Sequence, residues 1–357
     1  MPDLKLIPGF GSILGQDQPI RLLSTLLRNG SIPHALLFIG MEGVGKRNAA
    51  MIFAMACNCK SDVWETFEKR SNIRTKDDRA DVRQIDEAPC GVCISCRKIA
   101  SGHHPDIILI APSGPLIKIG QIRDLCRTLA MMPYEARLRV AVITDAQTMN
   151  PAASNALLKV LEEPPDRTML ILTATQTSDL LPTIVSRCQQ IRFNPISRKN
   201  IEMLLIEEHD MRPDDAEIIS IMADGSLAKA LSMMKSMPRT NWIKRRMWLI
   251  NEVAAIVDKP IASRMAFAEK LSKEKTLLSD SLEVMKSWFR DLIVCRYHPE
   301  KLINYDLKDK IQHVSKMTRV ESLISYIDDI QSVQRNIHAN INLRLSLEVL
   351  MMRLARA

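Results

Sequence analysis

The chain has 357 residues, with 49 Lys and Arg against 41 Asp and Glu, a formal net charge of +8. Its 46% hydrophobic and 25% charged residues are the proportions of an ordinary folded protein and exclude general disorder. No apolar run approaches the ~20 residues a membrane span needs. At roughly 150 residues per domain, two or three domains are expected. Residues 1–15 lack a basic start followed by an apolar stretch, so no secretory leader is read there and a cytoplasmic protein is expected.

Along the first 193 residues, short apolar runs alternate with helical patterns. His34-Ala-Leu-Leu-Phe-Ile-Gly40, Asp106-Ile-Ile-Leu-Ile110, Arg139-Val-Ala-Val-Ile-Thr144, Met169-Leu-Ile-Leu-Thr173 and Gln190-Ile-Arg-Phe193 read as strands. Such runs, rich in Ile and Val, are the pattern of parallel strands buried on both faces. The expected class is α/β with helices on both sides of the sheet. Asn150–Glu163 reads as a helix with an asparagine cap, stopped by Pro164-Pro165, its apolar side carried by Ala153, Leu157, Val160 and Leu161.

Asn194-Pro195 ends this alternation, and only helices follow. Residues 197–237 read as short amphipathic helices with a stop at Gly225, closed by Pro238. Longer helical patterns then include Ser281–Cys295 and Ser332–Leu354. The divisions are 1–194, 195–239 and 240–357. Residues 241–357 hold 20 basic and 14 acidic side chains; that surplus suits nucleic acid or an acidic partner, and equally a solvated helical surface. Half of residues 60–89 are charged, with signs mixed, the composition of a solvated insertion.

Two motifs carry chemistry. Gly40-Met-Glu-Gly-Val-Gly45-Lys46-Arg47 follows a strand and opens a helix, the setting of a phosphate-binding loop. Gly40, Gly43 and Gly45 would let backbone N–H groups face phosphate oxygens, and Lys46 would reach the β- and γ-phosphates. Arg47, however, stands where a Ser or Thr hydroxyl should hold Mg²⁺, and a guanidinium has only donors. After the third strand, Asp145 is followed by Ala146, so the second acid that would orient an attacking water is missing. Nucleotide binding is left open by Lys46; hydrolysis at a useful rate is not expected. The second motif, Cys90-x-x-Cys93-x-x-Cys96, offers three thiolates to a tetrahedral Zn²⁺ site. Cys57 and Cys59 are both candidates for the fourth ligand; His103 and His104 fit less well because they lead into a strand.

The sequence resembles the clamp-loader subunits of bacterial DNA polymerase III over nearly its whole length. The resemblance rests on Gly15-Gln16, His34-Ala-Leu-Leu-Phe38, the phosphate loop, Pro89–Cys96, His104-Pro105-Asp106, Thr144-Asp145-Ala146, Asn155-Ala-Leu-Leu-Lys-Val-Leu-Glu-Glu-Pro-Pro165, Ser186-Arg187-Cys188, Asp224–Leu227, Trp288–Ile293 and Asn340–Leu345. It implies an AAA+ P-loop module carrying a zinc knuckle within 59–96, a small helical lid and an all-α collar that assembles with other subunits. Within the family, the delta-prime type is the nearer match. That is a largely non-hydrolysing brace which helps place the sliding clamp on primed DNA beside gamma/tau and delta subunits. The ATP-hydrolysing gamma/tau type is the alternative; it would carry a hydroxyl at 47, an acidic pair at 145–146 and an arginine at 228, where this chain has Arg47, Asp145-Ala146 and Ala228. The resemblance further implies that Cys59, by its spacing from Lys46, is the first zinc ligand, and that Arg187 is an arginine finger acting on ATP held by the adjacent subunit.

Overall fold

A computed structural model describes residues 9–60, 89–235, 239–337 and 342–355. Nearly all of the charged 60–89 stretch, Pro238 and Asn340-Ile341 lie outside the described residues. The chain divides into two compact units: residues 1–197 with 226–228, and residues 198–225 with 229–357.

The first unit is built on a five-stranded, all-parallel sheet of β1 (Ala35–Ile39), β2 (Ile107–Ile110), β3 (Arg139–Ile143), β4 (Thr168–Ala174) and β5 (Gln189–Arg192), in the order β2-β3-β4-β1-β5. Strands therefore form where the apolar runs predict them. Both faces are buried, and the two-residue period sorts their side chains. Ala35, Leu37, Ala141, Ile143, Leu170 and Leu172 join one core with α4 (Ile119–Leu129), α5 (Pro151–Glu162) and α6 (Pro182–Val185), while Leu36, Phe38, Val140, Val142, Met169 and Ile171 join the other with α1 (Asp17–Arg28) and α2 (Lys46–Cys57). A further helix of this unit, α3 (Ile94–Ala100), sits in a smaller core formed by Met55, Cys59, Cys96 and Ile99. This is the α/β architecture, with helices on both sides of a parallel sheet, that the sequence pattern predicts. On α5, Asn150 caps the helix by accepting from the Ala153 N–H (2.8 Å), and Ala153, Leu157, Val160 and Leu161 are buried as expected.

Side-chain clamps fix the sheet's margins. The buried Gln16 amide donates to the Asn194 carbonyl (2.7 Å) and accepts from its N–H (3.0 Å), joining residues far apart in sequence. The Asn58 amide donates to the Leu138 carbonyl (2.9 Å) and accepts from its N–H (3.0 Å), fixing the end of α2 beside β3. Asp106 is fully buried. Its carboxylate accepts from the N–H groups of Tyr134, Glu135 and Ala136 and pairs with the Arg139 guanidinium at 2.7 Å.

The second unit is helical, as expected: α7 (Arg198–Glu207), α8 (Pro213–Ala223), α9 (Leu227–Lys235, from Lys229 onward), α10 (Arg239–Ala254), α11 (Ile261–Lys273), α12 (Lys275–Tyr297), α13 (Lys308–Met317), α14 (Val320–Asn336) and α15 (Leu343–Leu354). The pattern read as a single helix over Ser332–Leu354 is two helices. α14 ends at Asn336, and Asn342 restarts the chain as the cap of α15, its side chain accepting from the Leu345 N–H. α12 carries much of the core through Leu278, Leu282, Met285, Trp288, Phe289 and Leu292. A buried polar knot crosses this core: Arg246 donates to the Asn304 side-chain oxygen Oδ1 (2.7 Å) and pairs with Asp306, while the Asn304 side-chain amide donates to Asp291 (2.9 Å). Among the described residues, no helix is long and apolar enough to cross a membrane.

Burial by itself would raise the Asp106 pKa. The N–H groups of Glu135, Tyr134 and Ala136, with Arg139, outweigh it and hold the carboxyl well below the usual range. A depressed folded pKa adds stability that is fully present above the unfolded value near ~3.9 and is lost as pH falls through the folded one. Acid should therefore loosen this corner only well below pH ~4. Asp106→Ala deprives buried Arg139 of its carboxylate, though not of the Thr128, Met131 and Met132 carbonyls, and strips three N–H groups of their acceptor; it is expected to cost about 3–5 kcal/mol in chemical denaturation, with amide exchange accelerated first at β2 and β3.

Candidate functional site

β1 ends in the glycine loop. The Gly40 N–H donates to the Ala174 carbonyl (3.2 Å), and φ is +82° at Gly43 and +98° at Gly45, values that suit glycine. A Cβ at Gly43 would lie 2.1 Å from Ser226 Oγ and 2.9 Å from Ala228 Cβ, and the Ala228 N–H donates to the Gly43 carbonyl (3.1 Å). Residues 226–228 thus lie against the phosphate loop, and Ala228 contributes a methyl group and an N–H there. Lys46, in the first turn of α2, turns back on the loop: its Nζ donates to the carbonyls of Gly40 (2.5 Å) and Met41 (2.8 Å), and the residue is only 7% exposed. Burial lowers its pKa, and the nearby carboxylates of Asp145 and Glu42 oppose that shift. Arg47 points to solvent.

Asp145 follows β3 in the left-handed region (φ 52°), its N–H donating to Thr173 Oγ1 (3.1 Å), and Ala146 is buried behind it. The structure therefore brings Gly40, Gly43, Gly45 and Lys46 together in one loop, with Asp145 close enough to act on Lys46 electrostatically. Arg187 has other partners. It follows the Ser186 cap of α6, pairs with Glu162 at 2.8 Å and donates to the Thr183 carbonyl at 3.0 Å.

The thiols of Cys59, Cys90, Cys93 and Cys96 all lie within 4.8 Å of one another and could hold a metal ion. Cys59 Sγ is 3.4 Å from Cys90 Sγ, which is 3.9 Å from Cys96 Sγ. The turn is shaped for the purpose: Gly91 takes a positive φ, the Cys93 N–H donates to Cys90 Sγ, and the Cys96 N–H donates to Cys93 Sγ. Hydrogen bonding to Cys59 and then burial push the Cys96 thiol far above its ordinary pKa, so a bound cation must displace protons. Cys57 belongs to the α1–α2 core instead, and His104 donates no ligand atom to the cluster. His104 Nδ1 accepts from the Asp106 N–H.

Sequence reasoning gave no individual role to Glu162, Asn58 or Arg139. For Arg139 a signal existed: a charged residue opens an otherwise apolar buried strand, and Asp106 stands in the same place before β2.

A family model described as DNA polymerase III, delta subunit, matches residues 15–81 and 76–197, and one described as DNA polymerase III, delta subunit, C terminal, matches residues 240–356. The DNA polymerase III subunit delta' of Bacillus subtilis is 28% identical over 95% of this chain and 96% of its own length. The tau subunits of Salmonella typhimurium and Escherichia coli are 33% and 32% identical, over 63% of this chain and 32% of theirs. The chain thus matches about a third of those tau subunits. Among solved structures, a DNA polymerase III gamma subunit-related protein from Thermotoga maritima aligns over 95% of this chain and 99% of its own, with 17% identity and a TM-score of 0.45.

Cobalt(II) added to chelator-treated protein is expected to give the strong absorption of tetrahedral thiolate ligation. Cys90→Ser or Cys59→Ser should weaken that band, and Cys57→Ser should leave it unchanged. Metal affinity should fall as pH is lowered, because the thiols reprotonate.

Proposed function

The chain belongs to the DNA polymerase III delta-subunit family, and we propose that it serves as a delta-prime-type subunit of the clamp loader. It would brace an assembly of gamma/tau and delta subunits, help set the sliding clamp on primed DNA, and hydrolyse no ATP itself. Such a subunit works in the cytoplasm. Its parts are an AAA+ module over 1–194, a lid over 195–239 and a collar over 240–357. A match over nearly the full length of a delta' relative supports this reading, whereas the tau relatives match 63% of the chain.

The observation that carries the non-hydrolysing role is the state of the phosphate loop. Its lysine bonds to the loop's own carbonyls, an exposed arginine occupies the Mg²⁺ position, and Ala146 and Ala228 stand where an active site needs an acid and an arginine. Arg187 would instead act in trans. A permanent cation facing a neighbour's γ-phosphate stabilises the charge that grows there, an effect worth about 10³–10⁵ in rate for such fingers. Zn²⁺ is the metal we assign to the cysteines. At ~2.3 Å per Zn–S bond, a tetrahedron sets its sulfurs about 3.8 Å apart, close to the 3.4 and 3.9 Å between these thiols. Four protein ligands leave no open position, so the ion is structural.

The test is ATP turnover measured for the isolated chain and for the reconstituted loader on primed DNA. The isolated chain is expected to hydrolyse no ATP above background. Arg187→Ala is expected to leave it folded and assembled while slowing the loader by at least tenfold, a conservative figure beside the ~10³ seen for fingers generally. Brisk turnover by the chain alone, or an Arg187→Ala loader at full speed, would refute the reading.

A further inference from the structure

We propose that Glu162 is a positioning residue for Arg187, holding its guanidinium toward a neighbouring subunit's nucleotide phosphate; the inference rests on the trans-acting role of Arg187 given above. The geometry is specific. Glu162 Oε1 lies 2.8 Å from Arg187 Nη2 in an ion pair, and the Thr183 carbonyl accepts from Nη1 at 3.0 Å. Each terminal nitrogen of the fork is therefore tied to a different element: Glu162 is the last residue of α5, and Thr183 lies in α6. Both elements are anchored in one core through Leu157, Leu161 and Ile184. A guanidinium has five N–H donors. One is bonded to Thr183 and the Nη2 side faces the Glu162 carboxylate, which leaves Nε–H among the donors for an incoming phosphate.

Stability does not account for the pair. Arg187 is 35% and Glu162 50% exposed, and exposed ion pairs contribute little to folding. The position of Glu162 is itself unfavourable to the helix, because the last turn of α5 carries the negative end of its dipole. A residue that breaks a local rule without a folding gain is best explained by function. What the carboxylate supplies is selection of one rotamer of a long, flexible side chain, so that the finger is aimed before the phosphate arrives. The same negative charge dilutes the finger's positive potential, so the direction of the mutant effect is decisive: a positioning carboxylate speeds turnover, and a masking one slows it.

The experiment is DNA-stimulated ATP hydrolysis by the reconstituted loader, measured across ATP concentrations with assembly checked by size exclusion. Glu162→Ala is expected to lower kcat roughly tenfold with KM unchanged, the signature of an interaction made in the transition state. Glu162→Gln keeps an acceptor oxygen for Nη2 and should restore most of the rate. The Glu162→Ala/Arg187→Ala double variant should be no slower than Arg187→Ala alone, because the two residues act as one unit. A Glu162→Ala loader at or above the wild-type rate, beside a slow Arg187→Ala loader, would overturn the positioning role and leave the finger intact. A full-speed Arg187→Ala loader would remove both. If the Ala variant does not assemble, Glu162→Asp, shorter by one methylene, decides the matter: a slowed loader supports the role and a wild-type rate refutes it.

Discussion

At the carboxyl end of β1, a methyl group on Gly40 would lie 2.4 Å from the Phe193 carbonyl oxygen, so the strand can leave the sheet beside β5 only as glycine. Three residues on, Gly43 meets the same restriction against Ser226 and Ala228. The loop is therefore pressed from two sides by its own chain, with the Gly40 N–H held by β4 and the Gly43 carbonyl held by Ala228. This joint accounts for Gly40 and Gly43 by packing alone. The same spacing meets a packing constraint that needs no nucleotide. Lys46 fits that account, because its ammonium is satisfied by two loop carbonyls.

The thiolate cluster does a comparable job at the other edge. Cys59 follows directly on Asn58, whose amide is bonded both ways to Leu138. Cys90, Cys93 and Cys96 lead into α3, and α3 leads to His104 and Asp106. Four ligands on one ion would close the 31-residue separation between Cys59 and Cys90 against its loop entropy and join the end of α2 to the start of β2. Lys98 on α3 bonds Glu135 at 2.7 Å, next to the N–H groups that Asp106 receives, so the knuckle and the β2–β3 corner are braced together.

What the residues disclosed depended on how far apart the partners lie. Strands and caps are local, and all five strands, the sorting of their faces and the Asn150 cap could be read from residue order. The break between α14 and α15 was missed because apolar spacing runs on through it, and the capping asparagine at 342 is a short-range signal that a long periodic pattern hides. Pairs such as Gln16 with Asn194 or Glu162 with Arg187 join distant segments, and no spacing rule reaches them. Asp106 and Arg139 are an intermediate case. Ile107 stands opposite Val140 in the β2–β3 register, so once those strands are paired, the charges that immediately precede them become neighbours.

Lys46 and Arg187 are exposed to an incoming anion to different degrees. Lys46 is 7% exposed, two of its three donors are bonded to the Gly40 and Met41 carbonyls, and burial lowers its pKa. Arg187 is a third exposed and holds donors in reserve while paired with Glu162 and bonded to the Thr183 carbonyl. An anion therefore meets a buried cation at the first site and a partly exposed one at the second. Preorganisation favours a cation that an arriving ligand can reach with its bonding partners in place, and in this fold the more exposed of the two is the arginine that lies outside the chain's own phosphate loop.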